Sequence, residues 1–464
     1  MIYDIIIAGG GIAGLNSAYQ LLKYYPNAKV LILEKEKNVG GRIESITNKY
    51  MSIEAGAGRF HSGNKNLFQL IQELGLTNKT QKITGTASYA HNGKIWNSIM
   101  DYEKNKKTNQ NIQTILQNKI PNPEPALLSA LDVILGKENL PNSGIIAKII
   151  IGSYLETAEQ LRNTNLIEFA KKIVSLEDVE FLESSFGYYT ELIQMNAYDA
   201  IYLIVEHLSN KHPYYSMKGG LTQIITELKK HIEKYPNTRI ISNRTISQIN
   251  YNKQSQIYTM ECMNVQIKYQ THICICALPK QILEKFRIFK PIKPLLNKII
   301  CAPLCRIYSK FPLNKENNEV WFKNLSKLTT NNNLRIVIPI DQDKGVIMSS
   351  YSDNKYANYW KELYKKGEQT FNKELIKLLR ESTGREVPMP IKSYIYYWEC
   401  GVGYWGIGAN SETISEAMIQ PIPNTALFVC GEHYSHKNQQ WMEGALETSN
   451  KVISRILSKM SEKV

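Results

Sequence analysis

Three glycines near the start of the chain and one acidic residue beyond them have a spacing suited to binding a phosphate and a sugar. The segment Gly9-x-Gly11-x-x-Gly14 directly follows an apolar run at residues 2–8. In that setting the first glycine permits a tight turn, the second lets backbone N–H groups approach a pyrophosphate, and the third allows close packing of a helix on a strand. Glu34 lies 20 residues after Gly14, where a carboxylate accepts hydrogen bonds from ribose hydroxyls and disfavours a 2′-phosphate. The pattern predicts a dinucleotide site.

A strand, a helix and a second strand must position this loop, and the apolar pattern predicts them at residues 2–8, 15–25 and 29–33. Elsewhere the pattern predicts strands at 239–242, 246–251, 257–261, 272–277, 300–312, 334–340, 346–350, 391–398 and 426–430, helices at 221–231 and 443–459, and mostly helix from about 110 to 210. The dinucleotide-type pieces therefore lie at the start, the middle and the end of the chain. We expect one discontinuous nucleotide-binding domain and a second domain built from the intervening stretches.

The segment Gly40-Gly41-Arg42 narrows the choice of dinucleotide. A double glycine followed by arginine, shortly after the ribose-binding acid, places a guanidinium and bare backbone near the diphosphate of an extended dinucleotide, which favours FAD over NAD. Here the sequence resembles the flavin-containing amine oxidases, the family of monoamine oxidase, polyamine oxidase and L-amino acid oxidase. Other segments similar to that family lie at residues 33–42, 54–57, 246–249, 276–279, 428–432 and 441–445.

The resemblance implies an α/β fold with a discontinuous, Rossmann-like FAD-binding domain of the two-dinucleotide-binding type. That domain is expected at residues 1–80, 212–290 and 396–464, and an inserted α+β substrate-binding domain at 81–211 and 291–395. The residues implied to hold FAD are Gly9, Gly11, Ile12, Ala13, Gly14, Glu34, Lys35, Gly41, Arg42, Gly56, Ala57, Gly58, Arg59, Ile246, Gly431, Glu432, Trp441 and Met442.

The resemblance also implies a reaction. Members of the family transfer a hydride equivalent from a C–N bond to flavin N5, giving an imine that water hydrolyses, while O2 reoxidises the flavin and yields H2O2. Trp405 and Trp441 are expected to flank the amine as an aromatic cage, as catalytic and substrate-binding residues. Arg306 stands where the family has a lysine that holds a water against N5. An arginine there could still orient a water or stabilise reduced flavin, but it cannot act as a base.

Arg59 is the sharpest indication of a substrate. In the segment at residues 56–60 it resembles the arginine of L-amino acid oxidases that receives the substrate carboxylate as a bidentate pair, although Gly58 replaces the methionine of that pattern. The alternative is an arginine bound to FAD phosphate or to a local carboxylate. The expected substrate is a primary or secondary amine or an L-amino acid, and the net charge of +14 would suit capture of a carboxylate.

The flavin is expected to bind without a covalent link. In the monoamine oxidases a cysteine just before the first cage aromatic tethers the flavin, and Tyr404 occupies that position here, with Cys400 as the only alternative tether. The seven cysteines include no Cys-x-x-Cys segment. Neither a disulfide framework nor a metal site is therefore expected, and the cysteines are interpreted as buried thiols.

Composition excludes several classes of protein. The 464 residues are 43% hydrophobic and 21% charged, and they contain no apolar run near the ~20 residues needed to cross a bilayer, which indicates a soluble globular chain without a membrane anchor. The start has no basic leader, so we expect no signal peptide and a cytoplasmic location. The basic residues are scattered among asparagines, which argues against nucleic-acid binding. A homodimer is possible.

Two other functions stay open at this point. Protoporphyrinogen oxidases and carotenoid-type desaturases share much of the flavin scaffold, but they act on C–C or ring bonds and need long apolar tunnels. Side chains such as Tyr188, Tyr189, Gln194 and Asn196 fit a polar pocket better. The other possibility is an FAD-bearing interaction protein whose pocket has decayed, for which Arg306 is the main indication.

Overall fold

The computed structural model describes residues 2–105, 143–208 and 212–461, which two large sheets organise. The strands are β1 Ile2–Ala8, β2 Val30–Leu33, β3 Ser45–Thr47, β4 Ser52–Glu54, β5 Phe60–His61, β6 Thr80–Lys82, β7 Ala87–His91, β8 Lys94–Trp96, β9 Tyr214–Met217, β10 Thr238–Ile241, β11 Ile246–Asn252, β12 Ile257–Cys262, β13 Val265–Cys276, β14 Ile299–Lys310, β15 Lys327–Thr330, β16 Ile336–Asp341, β17 Val346–Asp353, β18 Lys392–Trp405 and β19 Leu427–Val429.

The α-helices of the described residues connect and cover these strands. They are α1 Ile12–Tyr24, α2 Lys65–Glu73, α3 Ile99–Asn105, α4 Ser143–Ser153, α5 Ala158–Arg162, α6 Leu166–Ala170, α7 Leu176–Ser185, α8 Tyr189–Ile193, α9 Ala197–Leu203, α10 Thr222–Glu233, α11 Lys280–Leu283, α12 Lys293–Leu296, α13 Asn354–Lys365, α14 Glu368–Thr383, α15 Ser411–Ile419 and α16 Met442–Ser461. In the described ranges, no helix is both long enough and apolar enough to span a membrane.

The first sheet carries the glycine loop. Its strand order is β10-β2-β1-β13-β12-β11, with β19 beside the carboxyl end of β13. Strands β10, β2, β1, β13 and β19 run parallel, and β11 to β13 form an antiparallel meander. Residues 5–8 of β1 are buried on both faces, which is why this strand is a continuous apolar run. Helices α1, α10 and α16 pack Leu15, Leu228 and Leu446 into one core with Ile7.

The second sheet has the strand order β18-β14-β17-β16-β15-β7-β8. Its neighbouring strands are antiparallel, except that β15 and β7 run parallel. One face packs on α13 and α14, where Trp360 and Phe371 share a core with Ile307 and Leu328. We call the opposite face, which carries Arg306, the inner face. It looks toward the glycine-loop half of the molecule, because Arg306 contacts the backbone of residues 54–56.

These two sheets confirm the predicted fold class. Strands β13 and β18 each extend seven residues beyond the predicted segment, because the polar alternation of 265–271 and the glycines of 399–405 hide strand character. The helices expected before residue 210 are present across 143–208, whereas 106–142 lie outside the described residues. The domain boundaries stay predictions, and the one at residue 396 falls inside β18.

The expectation that every cysteine is a thiol is wrong for two of them. Cys301 of β14 and Cys400 of β18 form a disulfide, with Cα atoms 5.2 Å apart, where the register of the two strands shifts. The other five cysteines are free and buried. No local sequence pattern predicts this bond, because the two cysteines are 99 positions apart and only the pairing of β14 with β18 brings them together. Cys400 is therefore not a free sulfur that could tether a flavin.

Removing the disulfide should destabilise the protein measurably. We expect Cys301→Ser and Cys400→Ser each to lower the free energy of unfolding by about 2–5 kcal/mol, because a long loop is then no longer closed in the unfolded chain. Guanidinium unfolding followed by circular dichroism measures the change. Thiol titration of the unfolded wild type is the direct check, with five thiols expected before reduction and seven after it. Seven thiols before reduction would contradict the bond.

Candidate active site

The three motif glycines have separate structural roles. Gly9 has φ +103°, and a Cβ added there would lie 2.5 Å from the carbonyl oxygen of Ala277. A Cβ on Gly14 would lie 2.0 Å from the carbonyl oxygen of Gly9, so only glycine lets α1 start this close to β1. A Cβ on Gly11, in contrast, would meet only the Cα of Gly41, 4.0 Å away. Gly11 thus leaves an open cradle at the N-terminus of α1, where a helix favours an anion.

Glu34 is held rigidly at the carboxyl end of β2. Its side chain is only 6% exposed, and Oε2 accepts a hydrogen bond of 2.7 Å from the Gly10 N–H while Oε1 accepts one of 2.9 Å from the Glu36 N–H. A carboxylate offers about four acceptor positions, so two remain for ligand hydroxyls. The start of β11 adjoins it, because the Arg244 N–H donates to the Glu34 carbonyl oxygen at 2.8 Å. This brings the FAD-binding candidate Ile246 near Glu34.

Arg42 and Glu432 meet beside the loop, from opposite ends of the chain. Arg42 Nη2 donates to Glu432 Oε2 at 3.3 Å, and the Gly403 N–H donates to Glu432 Oε1 at 2.8 Å. Burial alone would raise the pKa of Glu432, but the Arg42 charge and the Gly403 hydrogen bond lower it overall. Burial lowers the pKa of the adjoining His433 to about 4. The site therefore holds an ionised Glu432 beside a neutral His433 at neutral pH.

Arg306 fastens the segment at residues 54–56. Its Nη1 donates to the carbonyl oxygen of Glu54 at 3.0 Å and to that of Gly56, and its guanidinium lies 4.7 Å from the centre of the Tyr351 ring. A Cβ on Gly58 would lie 3.2 Å from Arg306 Nη1. Gly58 and Arg306, the two residues that depart from the family pattern, are therefore neighbours. The absence of a side chain at position 58 leaves room for the guanidinium of Arg306.

Arg59 is half-buried and lies among tyrosines. Its Nη2 donates to the Tyr188 hydroxyl at 3.1 Å, and its guanidinium lies 4.4 Å from the centre of the Tyr214 ring. The Tyr188 ring meets the Tyr351 ring edge-on at 5.8 Å. Arg59 has no carboxylate partner in the described parts of the chain, which removes the local ion pair as its explanation there. We refer to Arg59, Tyr188, Tyr214 and Tyr351 as the Arg59 cluster.

Trp441 reaches this cluster through Tyr214. The two rings are stacked with centroids 6.2 Å apart, and Trp441 packs edge-on against His61 at 4.7 Å. His61 Nε2 lies 3.0 Å from His207 Nδ1, and burial, followed by the charge of His207, lowers the pKa of His61 to about 3. His61 is thus a neutral member of a buried hydrogen-bonded pair.

The structure does not bring Trp405 to the Arg59 cluster. Trp405 is 1% exposed, packs in the core under the first sheet, and donates from Nε1 to the carbonyl oxygens of Ser435 and His436 at 3.1 Å. Side chains alternate along β18, so its neighbour Tyr404 points the other way, where its hydroxyl lies 3.4 Å from Glu191 Oε1. That Trp405 lines the pocket stays a prediction, and in the structure its side chain is buried in the core under the first sheet.

The other cofactor candidates surround the glycine loop, with one exception. Ile12 and Ala13 open α1, the Ala57 N–H donates to the Arg42 carbonyl oxygen at 2.8 Å, and Met442 opens α16. Gly41 and Gly431 have positive φ values of +60° and +141°. Lys35 differs, because its exposed ammonium pairs with Glu36 at 2.9 Å and points to solvent.

Sequence reasoning noticed Tyr188 but missed Tyr214, Tyr351, Glu191 and Lys327. Each of these residues lies on an element with no recognisable motif. The alternation of side chains along β17 indicates only that Tyr351 shares a face of the sheet with the residues two positions away. Burial, followed by the nearby Asp353 charge, raises the pKa of Glu191 well above its usual range. The neutral acid form of Glu191 is therefore favoured beside Tyr404.

Comparison with known proteins shows the family to which the chain belongs. The chain matches the flavin containing amine oxidoreductase family over residues 12–457. An uncharacterised protein of Acanthamoeba polyphaga mimivirus is 23% identical across 97% of this chain and 93% of its own length. A probable flavin-containing monoamine oxidase A of Dictyostelium discoideum is 37% identical over 93 residues, which is 20% of each protein.

Two solved structures share the fold at low sequence identity. Putrescine oxidase bound to putrescine has a TM-score of 0.72 at 14% identity, covering 99% of both chains. Cyclohexylamine oxidase from Brevibacterium oxydans has a TM-score of 0.70 at 14% identity, covering 99% of this chain and 100% of its own. The open cradle at Gly11, the fixed Glu34 and the Arg42–Glu432 pair fit the pyrophosphate and ribose of FAD. Since the family match also spans nearly the whole chain, this protein belongs to the flavin-containing amine oxidoreductases and is an FAD-dependent oxidoreductase.

Proposed function

We propose that this protein oxidises an amine that carries a carboxylate, as an L-α-amino acid does, with O2 as the acceptor and H2O2 as a product. The observation that carries the proposal is Arg59, a half-buried arginine that has no acidic partner among the described residues and is oriented by Tyr188 and Tyr214. A guanidinium binds a carboxylate through two parallel hydrogen bonds, which fixes the direction of the bound molecule.

The surrounding residues support the division of tasks that amine oxidation needs. FAD, when bound, accepts the hydride equivalent from the carbon next to nitrogen. The tyrosines of the Arg59 cluster cover the guanidinium and reduce its access to water, which strengthens its interaction with a carboxylate. Arg306 cannot accept a proton, so the ammonium group of the substrate must lose its proton to another acceptor before oxidation.

The alternative of C–C bond dehydrogenation is less well supported. Such substrates need long apolar surfaces, whereas the described inner face presents Arg306, Tyr351 and the neighbouring Tyr308, with Arg59 opposite. The remaining alternative is an FAD-bearing interaction protein whose pocket has lost its activity. Reduction of the bound flavin by any amine would exclude it.

Arg59→Ala tests the proposal. We expect wild-type enzyme to oxidise L-amino acids and to release one H2O2 for each amine consumed. The variant should lose about 100-fold or more in kcat/KM for amino acids, because a charge-assisted bidentate pair is lost. It should retain FAD and any activity on amines without a carboxylate, such as putrescine and cyclohexylamine.

The matched control is Arg455→Ala, which removes an exposed arginine paired with Glu416 and should change neither FAD content nor activity. Equal losses on amino acids and simple amines in Arg59→Ala would contradict the carboxylate role. A colourless Arg59→Ala protein would assign Arg59 to FAD binding instead.

A further inference from the structure

A second cation lies on the inner face, near Arg59. Lys327 opens β15, where Leu328 and Thr330 are buried, and Leu328 belongs to the core formed with α13 and α14. Because side chains alternate along a strand, Lys327 and Thr329 lie on the inner face. A Cβ on Gly187 would lie 3.6 Å from Thr329 Cγ2, so this part of the inner face packs against the loop that leads to Tyr188.

Lys327 has no counter-ion in the described parts of the chain. The residue is half-buried, and its ammonium group forms neither a hydrogen bond nor an ion pair there. Burial, followed by the positive charge of Arg59, lowers its pKa to about 7. Two basic side chains therefore lie in the same region, and a bound anion would offset the cost of keeping the Lys327 ammonium charged there.

The nearby protein groups do not supply that anion. Burial and the Asp353 charge raise the pKa of Glu191, which favours its neutral acid form. Asp353 is occupied, since its carboxylate accepts the N–H groups of Tyr189 and Thr190 at 2.9 and 2.7 Å. Arg306 differs from Arg59 and Lys327, because carbonyl oxygens of residues 54–56 accept hydrogen bonds from its guanidinium.

We propose that Lys327 is a specificity-determining residue, and that the substrate is an amino dicarboxylic acid whose α-carboxylate binds Arg59 and whose side-chain acid binds Lys327. The Arg59 half of this arrangement rests on the proposed function. A substrate with two acidic groups neutralises both cations, whereas an amino acid with an uncharged side chain leaves the ammonium of Lys327 unpaired. The bound acid would also raise the pKa of Lys327 and so keep the lysine charged.

The first experiment compares kcat/KM for L-glutamate and L-aspartate with that for L-glutamine and L-asparagine, which have the same shape without the second charge. We expect wild-type holoenzyme to prefer the acids by about 10- to 100-fold. Lys327→Met should abolish this preference while changing kcat/KM for the amides by less than about threefold. Lys327→Arg should retain it, and Lys323→Met, at a more exposed lysine with a weak ion pair to Glu319, is the matched control.

The second experiment measures binding without turnover. Glutarate has two carboxylates and no amine to oxidise, so we expect it to perturb the flavin absorbance of wild-type holoenzyme and to bind about tenfold or more weakly in Lys327→Met. If no amino acid reduces the flavin but glutarate binding depends on Lys327, the proposed function fails, whereas the binding of two carboxylates by Arg59 and Lys327 is supported. The proposal for Lys327 is overturned if wild-type enzyme oxidises the amides as efficiently as the acids. It is also overturned if Lys327→Met lowers the activity on both kinds of substrate equally, or if glutarate binds the two proteins alike.

Discussion

Gly14→Ala is expected to yield protein without bound FAD, whereas Gly11→Ala should fold normally and bind FAD only more weakly. The added methyl group of Gly14→Ala would lie 2.0 Å from the Gly9 carbonyl oxygen, so α1 must move away from β1 and the loop must deform. The methyl group of Gly11→Ala has open space within the protein and would instead occupy the cradle at the helix N-terminus.

Two measurements separate these outcomes. Thermal unfolding of the apoproteins should show a lower Tm for Gly14→Ala and a nearly unchanged Tm for Gly11→Ala. Titration of each apoprotein with FAD should show no saturable binding for Gly14→Ala and a Kd raised at least about tenfold for Gly11→Ala. If Gly11→Ala bound FAD as tightly as the wild type, the cradle would lie elsewhere.

Arg42→Met should raise the Kd for FAD by about 10²- to 10³-fold, because it removes a guanidinium beside the expected diphosphate and leaves Glu432 buried without its partner. Glu432 is 5% exposed, and breaking a buried pair by removing one member typically costs about 3–5 kcal/mol. Fluorescence titration of the apoprotein with FAD measures the loss. Arg455→Met, which leaves Glu416 unpaired in solvent, is the control and should bind FAD normally.

The pH dependence of stability should also change in Arg42→Met. The pKa of Glu432 is lowered in the folded wild type, so the ionised pair contributes stability above the ordinary value of 4.5 that is lost as the pH falls through the lowered pKa. In the variant, burial is unopposed by Arg42 and favours the neutral acid. We therefore expect acidification from pH 7 to pH 5 to narrow the stability gap between variant and wild type. A constant gap across this range would mean that Glu432 does not change its protonation.

Local patterns were enough to predict the dinucleotide loop and most strands. Gly14 and Glu34 act through contacts with elements adjacent in the βαβ unit, so their spacing along the chain reflects their spacing in the fold. The Arg42–Glu432 pair joins residues far apart in the chain, and it was anticipated as part of one FAD site through the family resemblance and not from any local pattern.

The features that escaped prediction depend on the register between distant strands. Whether Trp405 or Tyr404 faces the Arg59 cluster changes with a shift of one residue in β18, and the glycines of this strand obscure that register. The Cys301–Cys400 bond depends on the pairing of β14 with β18. The place of Lys327 near Arg59 depends on the order of the strands in the second sheet, which no local pattern reveals.

The two strands joined by the disulfide each run through two hydrophobic cores. Ile299 and Trp405 pack under the first sheet, while Ile307 and Tyr397 pack toward α13 and α14. The disulfide links two strands that each pack in both cores, which limits a hinge motion of the first sheet relative to the second. We therefore expect molecules to enter and leave the site through the motion of surface loops and individual side chains.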